Sequence, residues 1–258
     1  MTAANSMRIR AAHHRRHASA GFSLIEMAMV LMIMTLVLGG LMMPLSAQID
    51  VRRTSETQQT LENIKEALVG YAMSHRDTTV NTRPYLPCPD IAAPLAGFTH
   101  NDGQEDRDAT TGACAAPTEG NLPWVTLGVG NADAWGNRFH YRVSADFSNA
   151  SNGFSTVATP PSAGDIDVCS TPDCSTPLAD NTAVVIVSYG KNGWGALNSN
   201  GTVYQAPTSA DELENTDNDT TYVSRPPASP GANEFDDLLA WLSPDALFGR
   251  ICPNEGCP

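Results

Sequence analysis

Several features that define catalytic proteins are missing from this 258-residue sequence. After residues 1–20 the only histidines are His75, His100 and His140, and the chain has neither a Gly-x-Ser-x-Gly elbow nor a His-Glu-x-x-His helix. Lys191 follows Gly190, but the spacing of a phosphate-binding loop is absent. We therefore predict that the chain is not an enzyme.

Positive charge is also scarce. The chain has 15 Lys and Arg residues against 28 Asp and Glu residues, which gives a net charge of −13. Four of the arginines lie in residues 1–20, so the rest of the chain has 11 basic against 28 acidic residues. Such a surface repels nucleic acid, and we predict no nucleic-acid partner for this subunit alone.

The sequence does contain one long apolar run, residues 22–47, which includes a single carboxylate at Glu26. About 20 apolar residues can cross a bilayer, so the run predicts a transmembrane helix. The arginines before it predict a cytoplasmic flank, which places the rest of the chain in the periplasm. An acid inside a membrane is rare and is by default a functional residue that needs a partner. A cut between Gly21 and Phe22 would supply an amine one helical turn away.

These residues carry a resemblance to a known family. A basic leader, Gly21, the segment Phe22-Ser23-Leu24-Ile25-Glu26 and an apolar helix together resemble the class III signal of type IV pilins and type II secretion pseudopilins. The resemblance implies that a prepilin peptidase cuts after Gly21 and methylates Phe22, and that Glu26 guides subunit assembly. It also implies two further partners, namely other pilin or pseudopilin subunits and an inner-membrane assembly platform.

The resemblance predicts a structural subunit of a type IV pilus or a type II secretion pseudopilus. The globular part is larger than the compact pattern of a major pseudopilin, which favours a minor or accessory subunit. Such a subunit is first a single-pass protein of the inner membrane and later part of the filament. Three alternatives stay open. The first is an ordinary secretory signal. Leu45-Ser46-Ala47 loosely matches its cleavage site, although the run is longer than the roughly 7 to 15 apolar residues of such a signal. A plain membrane anchor is the second, and a membrane-anchored periplasmic binding or enzyme domain with a prepilin-type sorting signal is the third.

We predict an α+β, pilin-like fold, in which a long N-terminal transmembrane or stalk helix packs on a small antiparallel sheet with long disulfide-pinned loops. The predicted parts are a leader at 1–21, a transmembrane and polymerisation helix at 22–47, the amphipathic half of that helix at 48–76 and a periplasmic globular domain at 77–258. Apolar residues recur at spacings of three and four over 61–71, as in a helix that packs on a sheet. Glycines and a proline at 39–44 predict a weakened or kinked helix there.

Two strands are predicted in the globular region. Residues 139–143 alternate between apolar and polar after a Gly-Asn turn, and residues 183–189 are apolar on both faces, which is typical of a central strand. Residues 145–182 are rich in Ser, Thr, Pro and Asn and predict a long loop. A short strand is predicted near 202–204. Residues 235–242 predict a short amphipathic helix that ends near Ser243-Pro244.

All six cysteines follow the apolar run, and an even number in an exported segment favours disulfides. Fifteen pairings are possible. We predict local closure, with Cys88 bound to Cys114, Cys169 to Cys174 and Cys252 to Cys257. The alternative is a four-thiolate zinc site built from the two Cys-x4-Cys pairs.

Calcium is the predicted cofactor. Asp217 and Asp219 lie in a dense acidic segment, and Asp236 and Asp237 form a second one. Hard oxygen ligands packed this closely repel one another unless a cation neutralises them. The resemblance supports this assignment, because major-class pseudopilins bind calcium in a loop late in the globular domain. A solvated acidic loop without metal is the alternative.

Overall fold

The computed structural model describes residues 21–115, 118–252 and 257, without the side chains of residues 39–46. The predicted leader up to residue 20 lies outside the described residues. The chain divides into two units, Met1–Gln48 and Ile49–Pro258.

The described secondary structure consists of one long helix followed by short helices and short strands. The helices are α1 Leu24–Ser74, α2 Trp124–Leu127, α3 Ala145–Ser148, α4 Ala210–Glu214 and α5 Pro244–Ile251. The strands are β1 Glu119–Asn121, β2 His140–Val143, β3 Ile166–Cys169, β4 Pro177–Thr182, β5 Val184–Ser188, β6 Thr221–Val223 and β7 Leu238–Leu242. The segment 39–44, where a break was predicted, is part of α1.

The second half of α1 packs as its sequence pattern predicts. Leu61, Ile64 and Leu68 are at most 2% exposed and belong to one core cluster with side chains of β2, β5 and β7. Three- and four-residue spacings place these side chains on one face of the helix. The apolar stripe therefore joins the helix to the sheet, which confirms this prediction.

The first sheet has the strand order β1-β2-β5-β7, and all of its neighbouring strands are antiparallel. Every residue of β5 is buried, as predicted for a central strand. Successive side chains of a strand point to opposite faces. Tyr141 and Val143 therefore face the core on the α1 side, while Val185 and Val187 belong to a second core cluster.

A second sheet, with the order β4-β3-β6, covers that other face. Its Ile166, Val168 and Tyr222 pack in the second cluster. β3 pairs with β4 antiparallel and with β6 parallel. The sequence interpretation treated most of this region as a loop, because each strand is short and is flanked by turn-forming residues.

The predicted fold class and location are corrected by two findings. Among the residues that the structure describes, no helix is both long enough and apolar enough to cross a membrane. The predicted transmembrane helix and the predicted inner-membrane, single-pass location are therefore wrong, since a crossing needs about 20 consecutive apolar residues. The prediction of a single small antiparallel sheet is also wrong, because the antiparallel first sheet is accompanied by a second sheet that contains a parallel pair.

The predicted amphipathic helix at 235–242 is a strand instead. β7 pairs with β5 over five residues, from Leu238 opposite Ser188 to Leu242 opposite Val184. A five-residue apolar run does not distinguish helix from strand, and pairing with a buried neighbour decided the outcome. Ser243 begins a helix rather than ending one, because its hydroxyl accepts from the Ala246 N–H at 3.3 Å and Pro244 occupies the first turn.

Three disulfides hold the loops, in the predicted pairing. They join Cys88 to Cys114, Cys169 to Cys174 and Cys252 to Cys257. All six cysteines of the sequence are thereby used, which excludes the alternative zinc site. The short strand predicted near 202–204 is reduced to one bridge, between Leu197 and Val203.

Candidate functional site

The residues predicted for cleavage, Gly21 and Phe22, directly precede α1, and the predicted assembly residue Glu26 forms a helix cap with Ser23. The Ser23 hydroxyl accepts a hydrogen bond from the Ile25 N–H at 3.2 Å, and a Glu26 carboxylate oxygen accepts from the Ser23 N–H at 3.0 Å. A serine followed three residues later by a glutamate is the capping-box pattern, which satisfies amide groups that the first helical turn leaves unpaired. The Glu26 carboxylate therefore has a local partner, which the sequence interpretation missed although the spacing was visible.

Apolar side chains are exposed over the first turns of α1. Their exposed fractions run from 46% at Val30 to 92% at Leu24. A helix that is apolar on all sides is normally buried, and exposed apolar patches of this kind mark interaction sites. We call these residues the apolar surface, which consists of Phe22, Leu24, Ile25, Met27, Met29, Val30, Leu31, Met32, Ile33, Met34, Leu36, Val37 and Leu38.

The four aspartates predicted to bind calcium fall into two separate groups. Asp236 and Asp237 lie with Glu212, whereas Asp217 and Asp219 lie with Glu214. In each group the candidate ligand oxygens are within 4.8 Å of one another. Acidic clusters that could hold a metal ion therefore exist, but the predicted four residues do not form one site.

The group of Glu212, Asp236 and Asp237, which we call the buried acidic cluster, has the stronger geometry. Glu212 and Asp237 are 2% and 4% exposed. The Asn192 side-chain amide and the Asp236 N–H donate to Glu212 Oε1 at 3.0 and 3.1 Å, and the Asn215 amide donates to Asp237 Oδ2 at 2.8 Å. These bonds fix the carboxylates of Glu212 and Asp237 in place.

Two oxygens of the buried acidic cluster have no hydrogen-bond partner in the described part of the chain. They are Glu212 Oε2 and Asp236 Oδ1, and both are inaccessible to solvent. A buried carboxylate oxygen without a partner is costly unless a proton or a cation neutralises it. The arrangement therefore presents two free hard ligands to a cation.

The raised pKa values of the three acids also favour a bound proton or cation in this cluster. Burial, together with the smaller effect of the neighbouring Glu212 carboxylate, raises the pKa of Asp236 to about 6. Burial also raises the pKa of Glu212, and it raises the pKa of Asp237 well above its ordinary range. Three acids held together in this way bind either protons or a cation.

A close backbone approach shapes the cluster. Gly190 has a φ of +58°, and a Cβ at this position would collide with the carbonyl and side-chain oxygens of Asp236. The next turn brings Asn192, whose N–H donates to Asp236 Oδ2 at 2.9 Å. The sequence interpretation identified this glycine only as a turn residue, because its partner lies 46 positions away in the sequence.

The group of Glu214, Asp217 and Asp219 is more exposed and locally satisfied. Asp217 Oδ1 accepts from the Asp219 N–H at 3.2 Å, and Asp219 Oδ1 accepts from the Thr221 N–H at 2.6 Å. These short-range bonds are typical of turns that stay in solvent. This group gives weaker support for a metal than the buried acidic cluster does.

No protein-family model matches this chain, and neither a curated protein nor a solved structure is significantly similar to it. The resemblance to pilins and pseudopilins therefore depends on the residues around Gly21. The absence of catalytic activity also stays a prediction.

Proposed function

We propose that this protein is a structural filament subunit of the prepilin type. A prepilin peptidase cuts it between Gly21 and Phe22 and methylates the new amine. The subunit then polymerises through the apolar surface of α1 with copies of itself or with related subunits. The observation that carries the proposal is this surface, which follows directly after the proposed cleavage site.

The cost of exposing these side chains supports the proposal. Covering apolar area stabilises an assembly by about 25 cal/mol per Å², so side-by-side packing of such helices provides a large driving force. Helices pack with interaxial distances of about 8 to 10 Å when their side chains interdigitate. Each subunit offers apolar side chains around the whole helix, so it can contact several neighbours at once.

Glu26 has two separable roles in this proposal. It caps its own helix through the Ser23 N–H. After cleavage its charge would also pair with a terminal amine, on the same chain or on a neighbour. Capping needs only a hydrogen-bond acceptor, whereas pairing with an amine needs the negative charge.

Two substitutions of Glu26 distinguish these roles. We expect Glu26→Gln to keep the cap, because glutamine is also accepted in a capping box, and to lose filament incorporation. Glu26→Ala should lose both functions. Glu56→Gln, an exposed glutamate further along α1, is the matched control and should assemble normally. The measurement is the amount of each variant in sheared filaments, with helix content followed by circular dichroism.

Normal assembly of Glu26→Gln would exclude the charge-pairing role. Mass spectrometry of the mature protein provides an independent test of processing. We expect an amino-terminal N-methylated Phe22, and an uncut chain or a first residue at Gln48 would contradict the proposed processing.

We also propose that the buried acidic cluster binds calcium. Calcium prefers oxygen ligands and accepts carboxylates and carbonyls in a flexible arrangement. Glu212, Asp236 and Asp237 would supply carboxylate oxygens, and their neutralisation would remove the mutual repulsion of three buried acids. The ion would stabilise the fold by joining the α4 segment to the start of β7. Its role would therefore be structural.

A further inference from the structure

The last strand of the first sheet, β7, has an open edge. It pairs with β5 on one side, and no described strand lies on its other side. Its sequence, Leu-Leu-Ala-Trp-Leu, contains neither a charge nor a proline. An edge strand presents a row of unpaired N–H and C=O groups, and proteins usually block it with charges, prolines or a covering segment. The sequence of β7 supplies none of these devices.

The edges of β1 and β6 are blocked by specific hydrogen bonds. The Asn121 N–H donates to the Asp90 C=O at 2.8 Å, and the Asp90 N–H donates to the Asn121 C=O at 3.0 Å. The disulfide-bound segment that follows Cys88 thereby covers β1. At β6, the Val223 N–H donates to Asn215 Oδ1 at 2.7 Å, and the Asn215 amide donates to the Val223 C=O at 3.1 Å. An amide side chain here takes the place of a neighbouring strand.

The composition of β4 blocks its edge. The strand begins at Pro177, which has no N–H, and four of its six residues are exposed. Asp180 adds a charge. Proline and charge both discourage pairing at a sheet edge. Among the four sheet edges that the structure describes, β7 is therefore the one without such protection.

The ladder beside β7 determines which of its backbone groups point outward. In an antiparallel pair each residue directs its N–H and C=O to one neighbour, and the next residue directs them to the other side. The Val143 N–H donates to the Thr118 C=O at 2.8 Å, so the odd-numbered residues of β2 face β1 and the even-numbered ones face β5. These pair with the odd-numbered residues of β5, so its even-numbered residues face β7, where they pair with even-numbered residues. Leu239 and Trp241 therefore direct their backbone groups outward.

The two outward-facing residues select an extended chain. Among the described residues, no hydrogen bond outside the sheet ladder involves the backbone of Leu239 or Trp241. Their side chains are only partly buried where they pack beside the second core cluster. Donors and acceptors on alternate residues match the backbone of another strand, and the half-buried side chains add apolar contact.

The charge around β7 indicates the partner. Residues 226–249 contain Glu234, Asp236, Asp237 and Asp245 but neither Lys nor Arg. A second copy of β7, paired antiparallel, would bring its own Asp245 near the acids that precede the strand. Each copy also has a net charge of −13, so like charges oppose this pairing. A strand with basic residues at its ends has the complementary charge.

We propose that β7 binds an extended segment of a partner protein as an additional antiparallel strand. Apolar residues of the segment lie beside Leu239 and Trp241, and basic residues lie at its two ends. Antiparallel pairing continues the pattern of the first sheet and is slightly more stable per residue than parallel pairing. This recognition goes beyond the proposed assembly through α1 and does not depend on it.

Fluorescence anisotropy with the full chain in mild detergent tests the pairing. The probe is a dye-labelled peptide amide, Lys-Thr-Ile-Thr-Ile-Thr-Lys, whose isoleucines lie opposite Leu239 and Trp241. N-methylation of both isoleucines removes the N–H groups that face β7, and we expect binding to weaken at least about tenfold. N-methylation of two threonines is the matched control and should leave binding unchanged, because these N–H groups face away. Replacing both lysines with glutamates should weaken binding at least about threefold.

Variants of the protein locate the site. Leu239→Pro removes an outward N–H, which an edge strand tolerates, and should weaken the parent peptide about tenfold with little change in Tm. Trp241→Lys adds a charge at the edge and should also weaken binding, so the test does not depend on the folding of one variant. Val203→Lys makes the same change in charge at a residue that is 70% exposed elsewhere and should bind like the parent.

Glu26→Gln should bind the peptide normally, which separates this proposal from the one on filament assembly. Absence of binding, equal weakening by the two kinds of N-methylation, or unchanged affinity in Leu239→Pro would each overturn the proposal. A dimer that excludes the peptide and that Leu239→Pro dissociates would assign the edge to a second copy instead.

Discussion

The buried acidic cluster makes a quantitative prediction about pH and calcium. The perturbation is Asp236→Asn, which removes a partly buried charge but keeps the size and shape of the side chain. Its matched control is Asp217→Asn, which removes a charge from the exposed group that the sequence interpretation had assigned to the same site. The two variants have the same net charge, so any difference between them reports the local environment.

The expected magnitude follows from the pKa of Asp236. It rises from 3.8 to about 6, chiefly because burial removes the carboxylate from water and also because Glu212 lies nearby. At about 1.36 kcal/mol for each pKa unit, this rise corresponds to about 3 kcal/mol. The side chain is partly exposed, and solvent screening reduces the effect to about 1 to 2 kcal/mol.

The sign follows from linkage. A carboxylate whose pKa is raised in the folded state contributes stability below its unfolded pKa near 4, and this contribution is lost as the pH rises through about 6. Without calcium, Asp236→Asn should therefore be about 1 to 2 kcal/mol more stable than the parent near pH 7.5 and equal to it near pH 4. Asp217→Asn should leave the stability within about 0.5 kcal/mol at both values.

Calcium should reverse this order. At a concentration 100 times its dissociation constant, a bound ion stabilises the folded state by about 2.7 kcal/mol. For a chain of this size, that gain corresponds to a rise in Tm of about 5 to 10 °C. We expect the rise in the parent and in Asp217→Asn near pH 7.5, and no rise in Asp236→Asn. Urea and thermal unfolding with chelator or calcium provide the measurement, and equal calcium effects in both variants would refute the reasoning.

Two further predictions concern packing. Leu68→Ala removes a side chain that is fully buried between α1 and the first sheet. It should lower the free energy of unfolding in urea by about 2 to 5 kcal/mol. The control Met73→Ala changes an exposed side chain and should lower it by less than about 0.5 kcal/mol. Gly190→Ala should destabilise the protein and abolish the calcium-dependent rise in Tm, because its Cβ would displace Asp236. Gly201 has a similarly positive φ of +85° but open space around it, so Gly201→Ala isolates the cost of backbone strain. An equal loss of stability and of the calcium-dependent rise in both variants would contradict the role of Gly190.

The sequence predicted those elements whose pattern is determined within a single segment. One such element is the helical stripe of Leu61, Ile64 and Leu68, and another is the apolar run of β5. Each contains enough residues to distinguish a helix from a strand. β7 was misassigned because Leu-Leu-Ala-Trp-Leu is compatible with either period, and its structure depends on Val184–Ser188, about fifty residues earlier. β3 and β6 were missed for the same reason, since a parallel pair leaves no hairpin signal between them.

The candidate site shows a similar limit. Local spacing identified Asp236 and Asp237 as candidate ligands, but Glu212 and Asn192 reach them from other segments, and no periodicity connects these positions. Asp217 and Asp219 were predicted as ligands because they lie in a dense acidic segment, whereas the structure places them in a separate group with Glu214.

The two halves of α1 differ in how their apolar side chains can be covered, and this difference supports an assembly role. Over residues 61–72 the apolar side chains occupy one stripe, and a single sheet is enough to bury them. Over residues 22–38 they occupy every side of the helix, so one flat sheet face would cover only part of them. Several neighbouring helices can surround such a segment completely, as in a helical bundle. A subunit that contributes this segment to a filament core removes from water the apolar area that its own described fold leaves exposed.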